Sequence, residues 1–199
     1  QISWYLWMLK LVRERIGTKP INNKEMIFNF LFHSSGRFFQ ILGLSSLSLI
    51  LVAAYFEYVL LLKPCLLCYA QRFCVYLVIL TCLVAFLHKN QSIKLFKIYI
   101  TTSLVFLASG ISLAIRQLYL QSLPLDLIPT CGPDIDYLFD TLPFFEVFML
   151  AVRGDGNCAE VLWSFMGISI PGWTLMGFFI LFSYSLFSLF ISTKLHSKN

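Results

Sequence analysis

Four apolar stretches, each of about twenty residues, decide most of what this chain can fold into. They run over 41–62, 68–87, 96–115 and 173–193. A helix rises ~1.5 Å per residue, so about 20 residues cross the ~30 Å hydrocarbon core of a bilayer. Away from their ends, the stretches are interrupted mostly by Ser, Thr and Gly. Membrane helices use such small residues for close approach, and Gly43, Ser109, Gly110 and Gly177 are candidates for these contacts. Composition agrees: 13% of residues are charged, where a soluble domain carries ~25%. The expected fold class is an all-α membrane protein, a four-transmembrane-helix bundle. A long loop, 116–172, joins the third and fourth spans.

The net charge is +5, and its distribution says what it is for. Lys10, Arg13, Arg15, Lys19, Lys24 and Arg37 precede the first stretch, Lys89, Lys94 and Lys97 lie between the second and third, and Lys194 and Lys198 follow the fourth. The opposite side keeps only Lys63, Arg72, Arg116 and Arg153, together with most of the acids. No basic stripe with interleaved aromatics is visible, so nucleic acid is excluded as a partner. The positive-inside rule places both termini in the cytoplasm, and an even number of spans agrees. Residues 1–40 read as a cytoplasmic or interfacial extension, amphipathic around the apolar stretch 4–9. Residues 194–199 read as a tail, leaving 41–193 as the membrane domain. The loop is broken by Pro124, Pro129, Pro133, Pro143 and Pro171 and is too polar to be a fifth span. Its apolar part, 144–152, suits a helix lying on the bilayer surface.

Topology sorts the cysteines. Cys65, Cys68, Cys131 and Cys158 fall on the outer side or at its edge, while Cys74 and Cys82 lie inside the second span and read as small buried hydrophobes. Outside the cytoplasm thiols are kept oxidised, so four outer cysteines imply two disulfides. Cys65 and Cys68 have the two-residue spacing of a reactive dithiol and follow Pro64 at the start of a helix. The helix N-terminus there is expected to lower thiol pKa values. Arg72 lies one turn deeper on the same face, and would favour a thiolate or an anionic ligand. Cys131 and Cys158 form the second pair. Alone it reads first as a staple of the loop, worth about 2–4 kcal/mol, since most outer disulfides are structural. Beside a reactive pair it reads as the other half of a relay in which one disulfide is exchanged for the next. Heme attachment would need His at 69, where Tyr69 stands. No metal is expected: the three histidines, His33, His88 and His196, sit on the cytoplasmic side. An all-thiolate zinc site would need two short knuckles, and Cys131 and Cys158 are far apart.

The segment from Leu62 to Arg72, with its Lys63-Pro64-Cys65-Leu66-Leu67-Cys68 core, resembles the signature of the disulfide bond formation protein B (DsbB) family. So do Cys131-Gly132-Pro133-Asp134, Gly156-Asn157-Cys158-Ala159-Glu160 and Trp163. The resemblance continues through Gly167-Ile168-Ser169-Ile170-Pro171-Gly172-Trp173. It covers about 40–193, and Gln71 stands where some members carry an acid. It implies an inner-membrane, quinone-dependent thiol oxidase with its redox cysteines in the periplasm. Such an enzyme reoxidises a periplasmic DsbA-like thioredoxin-fold dithiol, a chaperone-like role in folding. On that resemblance Cys131 takes the mixed disulfide, electrons pass to Cys65 and Cys68, and Cys68 faces ubiquinone or menaquinone. Arg72 would sit beside the quinone head group, and Gln121 and Arg116 are further candidates for its pocket. The identity of the partner, the choice of quinone and the oligomeric state are open. A relative of vitamin K epoxide reductase is a rival, but there the reactive pair generally lies late in the bundle. A transporter with structural disulfides would place ionisable groups near the midplane, and only Glu57, toward an outer end, is available.

Overall fold

In the computed structural model, the residues described are 35–88, 92–124, 135–154 and 156–196. Helix α1 spans Ser35–Tyr58, α2 Leu66–Leu87 and α3 Ile93–Gln121. Two short helices follow, α4 (Ile135–Thr141) and α5 (Phe144–Arg153), then a 3₁₀ turn at Gly156–Cys158. A two-stranded antiparallel hairpin, β1 (Ser164–Phe165) and β2 (Ile168–Ser169), pairs Ser164 with Ser169 and Phe165 with Ile168. It leads directly into α6 (Ile170–His196). Among the described residues, four helices are long and apolar enough to cross a membrane: α1, α2, α3 and α6. The chain is a multi-pass helical membrane protein.

Two of the four stretches differ from the expected spans in an informative way. Helix α1 begins at Ser35, so residues 35–40 belong to it and not to the extension. Arg37 made these residues look polar. Yet Phe38 and Phe39 are buried in the main core with Leu42, Phe96 and Ile100, and Phe38 stacks on Tyr184 at 5.0 Å. The same helix stops at Tyr58, and 59–62 form a turn in which Leu61 takes a positive φ of 52°. Pro64 favours extended backbone before it, so the apolar run continues after the helix has ended. Helix α3 runs to Gln121 rather than to 115, because Arg116, Gln117 and Gln121 interrupt hydrophobicity without interrupting helical geometry. Residues 1–34, including the apolar stretch 4–9 and His33, lie outside the described residues.

Small residues set how closely the helices pack. A Cβ at Gly110 would collide with the ring of Phe178, one at Gly177 would meet Leu49 at 3.1 Å, and one at Gly43 would lie 3.4 Å from Cys82. Ser109, grouped with them from the sequence, instead faces outward and returns its hydroxyl to the carbonyl of Val105. The apolar segment of the loop forms α5. Val147 on one face is buried with Leu66 and Leu138, while Phe145 on the other is exposed.

Candidate functional site

Cys65 is the N-cap of α2, in extended conformation (φ −78°, ψ 169°), with Pro64 delivering the chain to it. Cys68 lies one turn into the helix, and the two sulfurs are 3.2 Å apart. The third cysteine arrives from the loop. Helix α5 ends at Gly154, whose φ of +73° and ψ of 153° form a conformation available essentially to glycine alone. A Cβ there would meet Leu67 at 3.0 Å and press into Leu120, so the chain passes close over the bundle. The 3₁₀ turn then seats Cys158, fully buried, among Cys65, Leu67, Leu120 and Ala159. The side chains of Cys158 and Cys65 are hydrogen-bonded. That bond, the one to Cys68 and burial push the Cys65 thiol up, opposite to the lowering expected at a helix N-terminus.

Beneath the sulfurs lies a buried polar triad drawn from three helices. Gln117 Nε2 donates to Cys65 Sγ at 3.2 Å and to Cys68 Sγ at 3.3 Å. Its Oε1 accepts from Gln71 Nε2 at 2.8 Å. The hydroxyl of Thr174 donates to Gln71 Oε1 at 3.1 Å. Gln71 is 5% exposed and Gln117 3%, so these amides are largely removed from bulk solvent.

Cys65 and Cys68 open onto a cavity of about 490 Å³ between α1, α2, α3 and α6. Its walls are apolar and aromatic, including Phe56, Trp163, Phe165, Trp173 and Phe178. The hairpin supplies part of this lining, and the Trp163 ring meets Phe56 edge-on at 4.9 Å. Cys65, Cys68, Gln71, Arg72, Gln117 and Gln121 furnish the polar edge. Arg72 is ion-paired with Glu57, donates to the carbonyl of Ala53 at 3.1 Å, and lies over the Tyr69 ring at 5.4 Å. Tyr69 in turn donates to Glu57 at 3.0 Å.

A family model described as "Disulfide bond formation protein DsbB" matches residues 35–188. A "Disulfide bond formation protein B" of Marinobacter nauticus is 44% identical over 149 residues, covering 75% of this chain and 88% of that protein. One of the same name from Stutzerimonas stutzeri is 44% identical over 140 residues, covering 70% and 85%. Another from Hahella chejuensis is 46% identical over 126 residues, covering 63% and 76%. The chain belongs to the DsbB family. It is thus a membrane protein of disulfide bond formation, with the disulfide oxidoreductase chemistry of that family.

In this DsbB-family chain, Cys65, Cys68 and Cys158 come together, and Arg72 and Gln121 line the adjoining cavity. Cys131 lies outside the described residues. Gln121 is tied to the hairpin: its Oε1 accepts from Ser169 at 2.8 Å and its Nε2 reaches the carbonyl of Glu160 at 3.5 Å. Arg116 does not line the cavity. It is exposed, donates to the carbonyl of Arg153 at 3.1 Å and lies over Tyr119, because it points about 100° away from Gln117 around α3. Gln117 belongs to no motif in the sequence, and Gln71 and Glu57 stand out there only as a departure from the family pattern and as an acid toward an outer end. The available signal was polarity. Gln117 and Gln121 are one turn apart on a helix that otherwise reads as membrane-embedded. Among the described residues no group of His, Cys, Asp and Glu is placed to hold a metal.

Proposed function

We propose that this protein is a quinone-dependent thiol oxidase. It takes two electrons from a periplasmic DsbA-like thioredoxin-fold dithiol and passes them to membrane quinone. The observation that carries the reading is the contact between Cys158 and Cys65 at the edge of an apolar cavity. The partner's thiolate attacks Cys131 of the Cys131–Cys158 disulfide and releases Cys158. Cys158 lies against Cys65, and its attack on Cys65 frees the sulfur of Cys68 toward the cavity. The raised Cys65 thiol suits a sulfur that is attacked rather than one that attacks.

The cavity fits a quinone by the chemistry of its lining. A flat ring needs apolar faces, which Phe56, Trp163 and Phe178 offer, and its carbonyl oxygens need donors, which Arg72 offers at the edge. Bound there, a quinone supplies the two-electron acceptor. Arg72, held by Glu57 and Ala53, keeps its positive charge beside Cys68, and the aromatic walls exclude water. Charge placement supports an inner-membrane topology, with both termini cytoplasmic and the redox cysteines periplasmic.

The test uses purified protein in detergent, a reduced thioredoxin-fold dithiol partner and a short-chain ubiquinone, followed by quinone absorbance. Rapid reduction is expected, lost in Cys68→Ser and in Cys131→Ser. If ubiquinone stays oxidised, a menaquinone analogue is tried next. Silence with both, or full activity in either variant, overturns the proposal.

A further inference from the structure

The amide nitrogen of Gln117 donates to two sulfurs, at 3.2 and 3.3 Å, in a place largely removed from bulk solvent. Sulfur in a thiol or disulfide is a weak acceptor, so two buried donors aimed at neutral sulfur recover little of the hydration they lost. Their return comes when a sulfur carries negative charge. The orientation of the amide is also not left free. Gln71 Nε2 donates to Gln117 Oε1, and Thr174 donates to Gln71 Oε1, so the Gln71 amide is fixed with its NH₂ toward Gln117 and the Gln117 amide with its NH₂ toward the cysteines. The Cys68 thiol also reaches Gln117 Oε1 at 3.7 Å, farther than the 3.3 Å to Nε2, and a turned-over amide would bring the oxygen against both sulfurs and the charge that develops there.

We infer that Gln117 is a catalytic residue that stabilises the leaving Cys68 sulfur, and that Gln71 and Thr174 are positioning residues that hold its amide in the donating orientation. The inference rests on the exchange sequence proposed above. In the step concerned, Cys158 arrives as the thiolate released by the preceding exchange. Its sulfur attacks Cys65 Sγ, the Cys158–Cys65 bond forms, the Cys65–Cys68 bond breaks, and the electron pair leaves on Cys68 Sγ. One disulfide is made and one is broken, so the protein's oxidation state does not change. The N–H groups of Gln117 lie along this path before the reaction begins. Their bonds strengthen only as charge reaches Cys68, which is what lowers a barrier rather than merely tightening a ground state. The lever runs from α6 through α2 to α3, and Thr174 shares its one hydroxyl hydrogen between Gln71 Oε1 and the carbonyl of Pro171.

The test has two readouts. In quinone-depleted protein with Cys131 and Cys158 replaced by alanine, the Cys65–Cys68 pair is equilibrated against a dithiothreitol redox buffer, and its oxidation is read by alkylation and mass spectrometry. Gln117→Leu is expected to shift the equilibrium roughly tenfold toward the disulfide, about 30 mV in potential. In otherwise unaltered protein, turnover of the reduced partner at saturating short-chain ubiquinone is expected to fall roughly tenfold, with the KM for quinone within about twofold of the original. Thr174→Val, which keeps shape and removes the hydroxyl, is expected to move both readouts about threefold in the same direction, and Thr174→Ser to restore them. Unchanged potential and turnover in Gln117→Leu overturn the inference. So does Thr174→Ser as impaired as Thr174→Val, a comparison that holds even if Gln117→Leu does not fold. An unaltered protein that reduces no quinone, with potentials that still shift as described, overturns the proposed function and supports the role of Gln117.

Discussion

Cys65 is hemmed in by sulfur on two sides, and its acidity follows from that. The bond to Cys158 is the largest cause of its raised pKa, the bond to Cys68 the next, and burial the third. A thiol with a raised pKa remains protonated to higher pH than an ordinary one, so its reactivity as a nucleophile is switched on late. In the reduced protein, alkylation of Cys65 is therefore expected to show a pH midpoint above the usual thiol range. In Cys158→Ala that midpoint falls toward the ordinary value. A midpoint that does not move would dissociate the two sulfurs. The two-residue spacing of Cys65 and Cys68, and Arg72 one turn on, were legible because all three lie on a single helix, where spacing alone fixes geometry. Gln117 and Glu57 were not. They reach the site from α3 and α1 across sequence separations of 52 and 15 residues, and which way each side chain turns depends on how whole helices rotate in the bundle.

Among the elements, α3 shows why span boundaries are harder to read than spans. The apolar run ends where the cavity begins: Gln117 and Gln121, which line it, are polar yet keep the helix going. The α5 helix was legible as an apolar segment, but the turn that follows it was not, since nothing in the sequence says what Gly154 must avoid. Its backbone lies in a region that costs other residues about 1–3 kcal/mol, and its missing side chain leaves room for Leu67 and Leu120. Gly154→Ala is expected to lower thermal stability in detergent by about that amount. It should also move the 3₁₀ turn, so that less Cys65–Cys158 disulfide is trapped when the reduced partner is added and the reaction is quenched with acid. Undiminished trapping would show that the loop finds Cys65 by another route.

The molecule as a whole is a bundle whose cysteines sit at one end, and the proposed topology turns that end to the periplasm. Lys63 stands beside the cysteines, while Lys89 belongs to the connection between α2 and α3 at the other end. In a background without reactive outer thiols, Lys63→Cys is expected to label with a membrane-impermeant maleimide in cells whose outer membrane has been permeabilised. Lys89→Cys should label only after lysis, and the reverse pattern would invert the topology. The bundle also carries a dimension that belongs to no site residue. Phe178 forms part of the cavity wall, and it sits where it does because Gly110, on a different helix, has no side chain to meet it. The headroom of the chamber is therefore set from behind its wall. A single methyl group added at position 110 would drive an aromatic ring into the space, narrowing the room for a ligand that residue 110 itself never touches. The size of the chamber is inherited from helix spacing, so variation in the packing of α3 on α6 is a means of changing what the chamber admits while every cysteine stays the same.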